Sequence, residues 1–537
     1  MGNAISLFHL ALADFLDSLR TFQSLKERLH HSPGLPLDNP SRSFWMYPPS
    51  SIAQHCSPLP HYADFVVIGS GITGTSVART LLDRCHAEKI ATKLVMLEAR
   101  DACSGATGRN GGHISPPLYH DYATLARDHG SPSAQKMIRF RLAHLHELRR
   151  VAEEESILEE SQWREVEAVD AFYNRELFEK AKEKVLRYQR DLPFEASHHR
   201  VCESEEAVQT YHLASDAVGC IASGAGAIHP YRFVTGILSN LLSRYADNFF
   251  LCTNTPCTMV SGPSSSTPLY TITTPKGTIQ TPHVIHATNG WCSHLLEPMR
   301  AKVVPFCGNM SAQRPGQSLP PSTINRSFIF YASPIGYDYL TQLPNGEREL
   351  MLGGGFAQQG NEGYEAMGNT DDRVHNKRVG AHLAGVLPRY FGEENWGAEG
   401  QPLQPSEGRQ GNDPEWFRGR VKALWSGVLG ISVDLLPWVG RLPSSVSGRS
   451  EPLISSSPRI GKEDEMPLGA PPGEWIAAGY SGEGMVHAWL SGKALAEMLL
   501  GRENEASLAE WFPDIMRVTT GRWKKAKPEN LLDMFKD

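Results

Sequence analysis

The sequence predicts an α/β protein in which a parallel sheet is interlaced with an α+β domain built around an antiparallel sheet. Three observations predict it. The stretch DFVVIGSGITGTSVARTLLD, from Asp64 to Asp83, passes from an apolar β-run through closely spaced glycines into a helical pattern. KLVMLEAR, from Lys93 to Arg100, adds a second short apolar run that closes on Glu98. Far downstream, YDYLTQLPNGERELMLGGGF carries two alternating runs around Pro344-Asn345-Gly346, which is a hairpin signal and so requires antiparallel pairing.

Taken in order, Phe65 to Ile68 form the first strand, and Gly69, Gly71 and Gly74 follow at GxGxxG spacing. Each glycine has its own task in a Rossmann-like βαβ unit. Gly69 makes the tight turn, Gly71 lets the backbone approach a pyrophosphate, and Gly74 allows the helix to pack closely on the strand. The first helical residues, Ile72 and Thr73, present free amides at the positive end of the helix. Glu98 lies 24 residues past Gly74, where a carboxylate can accept ribose hydroxyls. The next stretch contains Ala99, Arg100, Ser104, Gly105, Thr107, Gly108, Arg109, Asn110, Gly111 and Gly112, and is too rich in glycine and small polar residues to pack a core. It can instead wrap amides and hydroxyls around a polyphosphate. Arg109 adds a cation suited to the cofactor or to a carboxylate.

Leu118 to Arg190 is dominated by charged helical patterns such as FEKAKEKVLRYQRDL, whose Glu–Lys spacing reads as a solvated face. Val284 to Ala287 reads as a strand, followed by Asn289 and Gly290. Near the end, Trp475 to Ala478 read as a strand, Gly479 to Gly484 as a turn containing Gly482, and Met485 to Leu500 as a helix. The turn can serve packing alone, or it can aim a helix N-terminus at a negatively charged ligand. The chain therefore divides into an N-terminal helical arm and linker (1–61), a dinucleotide domain in three parts (62–117, 198–302 and 419–502, the last with a loop at 443–472), a helical insertion (118–197), a β-rich substrate region (303–418) and a C-terminal tail (503–537).

Composition limits the function classes. The 537 residues are 40% hydrophobic, enough for a large core, and 52 Lys+Arg against 59 Asp+Glu leave a net charge of −7, which disfavours a nucleic-acid partner. Nine cysteines without a C-x-x-C pair suggest free thiols in a reducing, cytoplasmic setting, with no metal site. No apolar run approaches the length needed to cross a bilayer. Met1 to Ser6 fit the pattern for myristoylation of Gly2, which would give a membrane contact. Ile5, Phe8, Leu12, Phe15, Leu19, Phe22 and Leu29 share one helix face, which suits docking on the protein as well as lying on a membrane.

The motifs from Asp64 to His113 resemble those of FAD-dependent amine and amino-acid oxidases of the D-amino-acid oxidase and glycine oxidase superfamily. TGRNGGH, ending at His113, is most similar to the gamma-glutamylputrescine oxidase subgroup. The resemblance returns in the W-x-G segment that begins at Trp425, in Asp434-Leu435-Leu436-Pro437, and in GEWIAAGYSGEGM from Gly473 to Met485. It implies an FAD cofactor cradled by the glycine-rich segments. It also implies hydride transfer from a carbon bearing nitrogen in an amine or amino-acid-like substrate, with oxygen as the expected acceptor. Relatives that attach flavin covalently use a cysteine where Trp425 to Leu436 has none, or a histidine where Arg109 stands, so the FAD is expected to be non-covalent. Cys307 stands where many relatives carry an arginine, which argues against a simple carboxylate clamp. His113, Tyr337, Tyr339 and Trp425 are the candidates for a pocket over the ring. Two rival readings are a nicotinamide-dependent Rossmann dehydrogenase, which leaves TGRNGGH and GYSGEGM without a purpose, and a flavin-binding protein whose role is localisation or interaction.

Overall fold

The computed structural model describes residues 23–264, 268–400, 416, 418–452 and 469–535. A six-stranded sheet runs in the order Trp438–Arg441, Gly473–Ala478, His283–His286, Phe65–Ile68, Leu94–Leu97, Phe249–Cys252. All neighbours pair in parallel except the edge strand Trp438–Arg441. Every residue of Phe65–Ile68 and Leu94–Leu97 is buried, which is why these strands read as unbroken apolar runs. The chain leaves Phe65–Ile68 toward one edge and later returns to its other side through His283–His286. A crevice therefore opens at the carboxyl ends of these strands, where ligands bind in open parallel sheets.

The second sheet has nine strands, in the order Val421–Ser432, Val303–Gln313, Leu350–Gly353, Asp338–Gln342, Arg326–Tyr331, Arg164–Phe172, Gly219–Ala227, His113–Ile114, with Arg200–Glu203 also paired to Gly219–Ala227. The expected hairpin is present: Gln342 faces Leu350 and Tyr339 faces Gly353 across an antiparallel register. Together the two sheets give the predicted α/β architecture.

Hydrogen bonding divides the chain differently from the expected boundaries in two places. Arg200–Glu203 and Gly219–Ala227 belong to the nine-stranded sheet, although 198–302 was expected to lie with the parallel one. Gly219–Ala227 consists mostly of small residues, apart from Ile221, without alternation, and its register against all nine residues of Arg164–Phe172 decides its place. Val421–Ser432 likewise pairs along its length with Val303–Gln313, so the segment expected at 419–502 is shared between the sheets.

Both chain ends are docked within the described residues. Leu25 and Leu29 are buried in one apolar cluster with Met299, Met367 and Leu531. The following segment forms a strap: Ser43 donates to the Gly108 carbonyl at 2.6 Å, and the buried Trp45 donates through Nε1 to the Asn110 carbonyl at 2.5 Å. Near the C-terminus, Arg522 pairs with Asp434 at 2.8 Å and lies 3.9 Å over the Trp438 ring. Residues 1–22, which include Gly2 and most of the expected amphipathic face, lie outside the described residues. Among the described residues, no helix is long and apolar enough to cross a membrane.

Candidate functional site

A cleft of about 1260 Å³ occupies the crevice. Its floor is the turn between Phe65–Ile68 and the helix Ile72–Ala87. Gly69 has a φ of +109°, and a Cβ there would lie 2.7 Å from the Ala287 carbonyl on the returning strand, so only glycine suits the turn. A Cβ on Gly74 would collide with the Gly69 carbonyl, so this glycine sets the close helix-to-strand packing. Gly71 is different. It faces the cleft, caps the helix without a side-chain bond, and would bring a Cβ only to 3.1 Å from Thr107 Oγ1. The Ile72 amide donates to that hydroxyl at 3.1 Å, and Thr73 lines the same wall.

Glu98 also lines the cleft, beside Ala99 and Arg100. Its Oε2 accepts the Ser70 amide at 3.1 Å and the Ser70 hydroxyl at 2.7 Å, and its Oε1 accepts the Arg100 amide at 3.1 Å. An ionised carboxylate has about four acceptor positions, so one remains for a ligand hydroxyl. Gly105, Thr107 and Asn110 continue the lining, and the strap closes it with Gly34, Leu35 and Pro36. Thr288 and Asn289 border the opposite side. Asn289 Oδ1 accepts the Gly479 amide at 2.9 Å, which leaves Gly290 as a packing junction beneath Leu429.

Arg109 departs from expectation. Its guanidinium donates to the carbonyls of Ser104 (2.8 Å), Ser41 (2.9 Å) and Ser426 (2.8 Å) and lies 3.8 Å from Asp372. Burial lowers its pKa to about 10, against the pull of Asp372. The side chain is consumed in joining the glycine-rich loop to the strap and to Val421–Ser432, so it has no reach into the cleft. Trp425 serves the same junction. It is fully buried and donates its indole N–H to the Arg109 carbonyl at 2.9 Å.

The closing turn meets the first helix through Tyr480, whose hydroxyl lies 2.8 Å from Thr73 Oγ1. Gly482, Gly484 and Met485 line the cleft, and a Cβ on either glycine would point into open space. The helix expected from Met485 starts later, at Ala488, because Gly484–Val486 form a separate 3-10 turn and His487 is non-helical.

One face of the nine-stranded sheet forms the far end of the site. The cross-strand register aligns Trp425, Met310, Gly353, Tyr339, Ile329 and Asp170 in a single row. The rings of Tyr339 and His113 meet edge-on with centroids 5.2 Å apart, beside Gly111. His113 Nδ1 lies 2.6 Å from Ser327 Oγ, its Nε2 is buried without a partner, and burial pushes its pKa down to about 3. The imidazole is therefore neutral at neutral pH. Gly112 sits behind it with φ +70°, its space taken by the Ile228 carbonyl and Trp45. Tyr337 is 49% exposed, and its ring lies 6.3 Å from that of Tyr339 and 5.8 Å from that of Tyr331.

The sequence reading did not single out Tyr331, Asp121, Arg141 or Glu483. Arg141 lies on the helix Ser131–Glu154, within the stretch read as a solvated face, yet it is buried and bonds Asp121 at 2.9 Å and Glu483 at 3.0 Å. Glu483 stands between two cleft-lining glycines in GYSGEGM, and that position was the available signal.

A largely parallel sheet with a glycine-rich turn and acid at its switch point, beside a mostly antiparallel sheet, defines a dinucleotide-dependent oxidoreductase architecture of the flavoprotein kind. The chain belongs to the DAO family of FAD-dependent oxidoreductases, whose family model matches residues 64–498. No curated protein sequence matches significantly. Among solved structures the fold is similar to L-proline dehydrogenase from P. horikoshii (17% identity, TM-score 0.58, covering 87% of this chain and 100% of that one). It is similar to glycine oxidase from Geobacillus kaustophilus (16% identity, TM-score 0.57, 84% and 98%) and to an L-amino acid deaminase from Proteus vulgaris (14% identity, TM-score 0.56, 91% and 99%). The residues present fit FAD: the hydroxyls of Ser104 and Thr288 are buried without partners, and the cradle at Gly482 and Gly484 is open.

Proposed function

We propose that this protein oxidises a C–N bond of an amine or amino-acid-like small molecule, using FAD held non-covalently and oxygen as the acceptor. The observation that carries the reading is the meeting of the cofactor cleft with an aromatic wall at Gly111, where Tyr339 and His113 converge. The names of the structural neighbours, which include glycine oxidase and L-amino acid deaminase, support the substrate class. TGRNGGH supports kinship with the gamma-glutamylputrescine oxidase subgroup.

In this reading Gly71, Ile72 and Thr73 would face the pyrophosphate on the turn that Gly69 and Gly74 shape, and Glu98 would accept the ribose hydroxyls. Gly105, Thr107, Asn110, Thr288, Gly482, Gly484 and Met485, which line the cleft, would border the rest of the cofactor. FAD, when bound, accepts hydride from the carbon that bears the nitrogen. The protein's part is to position that carbon, and an amine that enters as its ammonium form gives up that proton before hydride leaves. Neutral His113 can accept a hydrogen bond through Nε2 without adding a competing charge. Tyr339 and Tyr337 limit water at the reacting face.

An absorbance scan of the purified protein followed by acid precipitation tests the cofactor. Oxidised-flavin bands that move into the supernatant are expected; colour that stays in the pellet contradicts non-covalent binding. Peroxide release on screening primary amines, N-methyl amino acids and D- and L-amino acids tests the reaction. No peroxide and no flavin reduction across that panel would reject it.

A further inference from the structure

We propose that the substrate end of this site selects a cation: an amine entering as its ammonium form, recognised by the Tyr331–Tyr337–Tyr339 wall and by Glu483, rather than an amino acid held by its carboxylate. This inference rests on the flavin-site reading above and narrows its substrate class.

The wall is a run of three rings with successive centroids 5.8 and 6.3 Å apart. Tyr339 abuts Gly111, one residue beyond the cleft-lining Asn110, and Tyr337, at its 49% exposure, offers ring area to whatever enters. Aromatic faces attract cations through their quadrupole and give a carboxylate nothing comparable. The charges around the wall have the matching sign. Burial raises the pKa of the Tyr337 phenol, and the charges of Glu483, Asp121 and Asp170 raise it further. Tyr331 is raised by burial and then by Asp170, with Asp121 and Glu483 also contributing.

The cations nearby are already committed. Arg141 is buried and uses all its edges, pairing with Asp121 at 2.9 Å and Glu483 at 3.0 Å and donating from Nε to His487 at 3.1 Å. Burial raises the Glu483 pKa to about 7 against the pull of Arg141, so the arginine between its two carboxylates leaves that group net negative above that pH. His120 presents its Nε2 to both Asp170 at 3.2 Å and the Tyr331 hydroxyl at 2.9 Å. His113 is neutral. Arg164 is the remaining competitor for a carboxylate. Two of its nitrogens donate to the carbonyls of Gln162 and Gln342, at the other end of the strand Asp338–Gln342, about 17 Å along the chain from Tyr337, while its Nε is buried without a partner and its charge reaches His113. A substrate carboxylate at the tyrosine wall would thus meet ring faces and acids, whereas an ammonium group would find both attractive.

The test uses three probes of one shape on the flavin-loaded protein: tert-butylammonium, tert-butanol and pivalate. None has hydrogen on the carbon next to its polar group, so none can be oxidised. Calorimetry measures binding independently of turnover, and absorbance reports flavin content separately. Tert-butylammonium is expected to bind about tenfold or more tighter than either isostere, with most of that advantage lost in Tyr337→Leu and Glu483→Gln. Tyr337 is half exposed, so its leucine variant is expected to fold and to keep its flavin. Equal binding of the three probes, tighter binding of pivalate, or an undiminished cation preference in both variants overturns the inference while leaving the flavin reading intact. Protein that carries no flavin would instead overturn the reading beneath it.

Discussion

The Tyr339 ring occupies the space that a side chain at residue 111 would need: a Cβ on Gly111 would lie 2.7 Å from Tyr339 Cε2 and 2.8 Å from His113 Cδ2. The glycine loop and the nine-stranded sheet are thus fitted to each other at Gly111. Gly111→Ala should displace the Tyr339 and His113 rings without touching the pyrophosphate cradle. Its flavin spectrum should stay near normal, while anaerobic stopped-flow reduction by an active amine slows at least tenfold. His113→Ala and Tyr339→Phe should behave in the same way. Reduction at the parental rate in all three would remove this face from the active site.

Glu98 gives a separate prediction about the cofactor alone. Its carboxylate already organises the Ser70 and Arg100 amides, and Ser70 Oγ in turn accepts the Cys103 amide at 2.9 Å. Glu98→Ala should therefore lose a charge-assisted bond to the ribose worth about 1.5–3 kcal/mol, together with some loop order, and weaken FAD retention by roughly tenfold or more. Equilibrium dialysis of the folded variant measures this. An unchanged FAD affinity would place the ribose elsewhere.

The parts of this architecture that were legible in the sequence are those whose neighbours are local or whose burial is two-sided. Phe65–Ile68 is readable because a strand covered on both faces must be apolar throughout, and the Pro-Asn-Gly turn specifies its own hairpin. Arg141 was not legible. Its helix is charged overall, and no periodicity shows that one arginine faces inward onto Asp121 and Glu483, which come from other elements. The strap from Gly34 to Trp45 was read as a linker because its proline- and serine-rich composition has no period. Its partners, Gly108, Asn110 and Asp372, are supplied only by the tertiary fold. Arg109 misled for a related reason: a cation beside a glycine-rich loop suggests a ligand, but three backbone carbonyls and Asp372 consume it.

The two glycines at the helix start should fail in different ways. Gly71 faces the cleft, so Gly71→Val should give a folded protein that lacks flavin, because the branched side chain fills the approach to phosphate. Gly74 is pressed on the Gly69 carbonyl, so Gly74→Ala should force the helix off the strand and lower stability itself. Circular dichroism melting in parallel with flavin absorbance separates the two. A colourless but stable Gly74→Ala, or a yellow Gly71→Val, would contradict the assignment of roles.

A final prediction concerns acid stability and does not depend on the chemistry. Glu147, on the helix Ser131–Glu154, bonds Lys493 on Ala488–Leu499 at 2.9 Å and Arg150 at 2.8 Å, which ties the closing helix to the helical insertion. Burial alone would raise its pKa, but the hydrogen bonds from Arg150 and Lys493 outweigh burial and hold it at about 2. A carboxylate depressed below its unfolded value of about 4.3 stabilises the fold fully above that pH, and its contribution is lost as pH falls toward 2. Arg150 and Lys493 are partly exposed, so screening reduces the effect to about 1–2 kcal/mol. Glu147→Gln should accordingly unfold at a lower urea midpoint at pH 7, with the gap to the parent closing between about pH 4.3 and 2 as Glu147 takes up its proton. A gap that stays constant across that range would show that the variant acts through packing and not through charge.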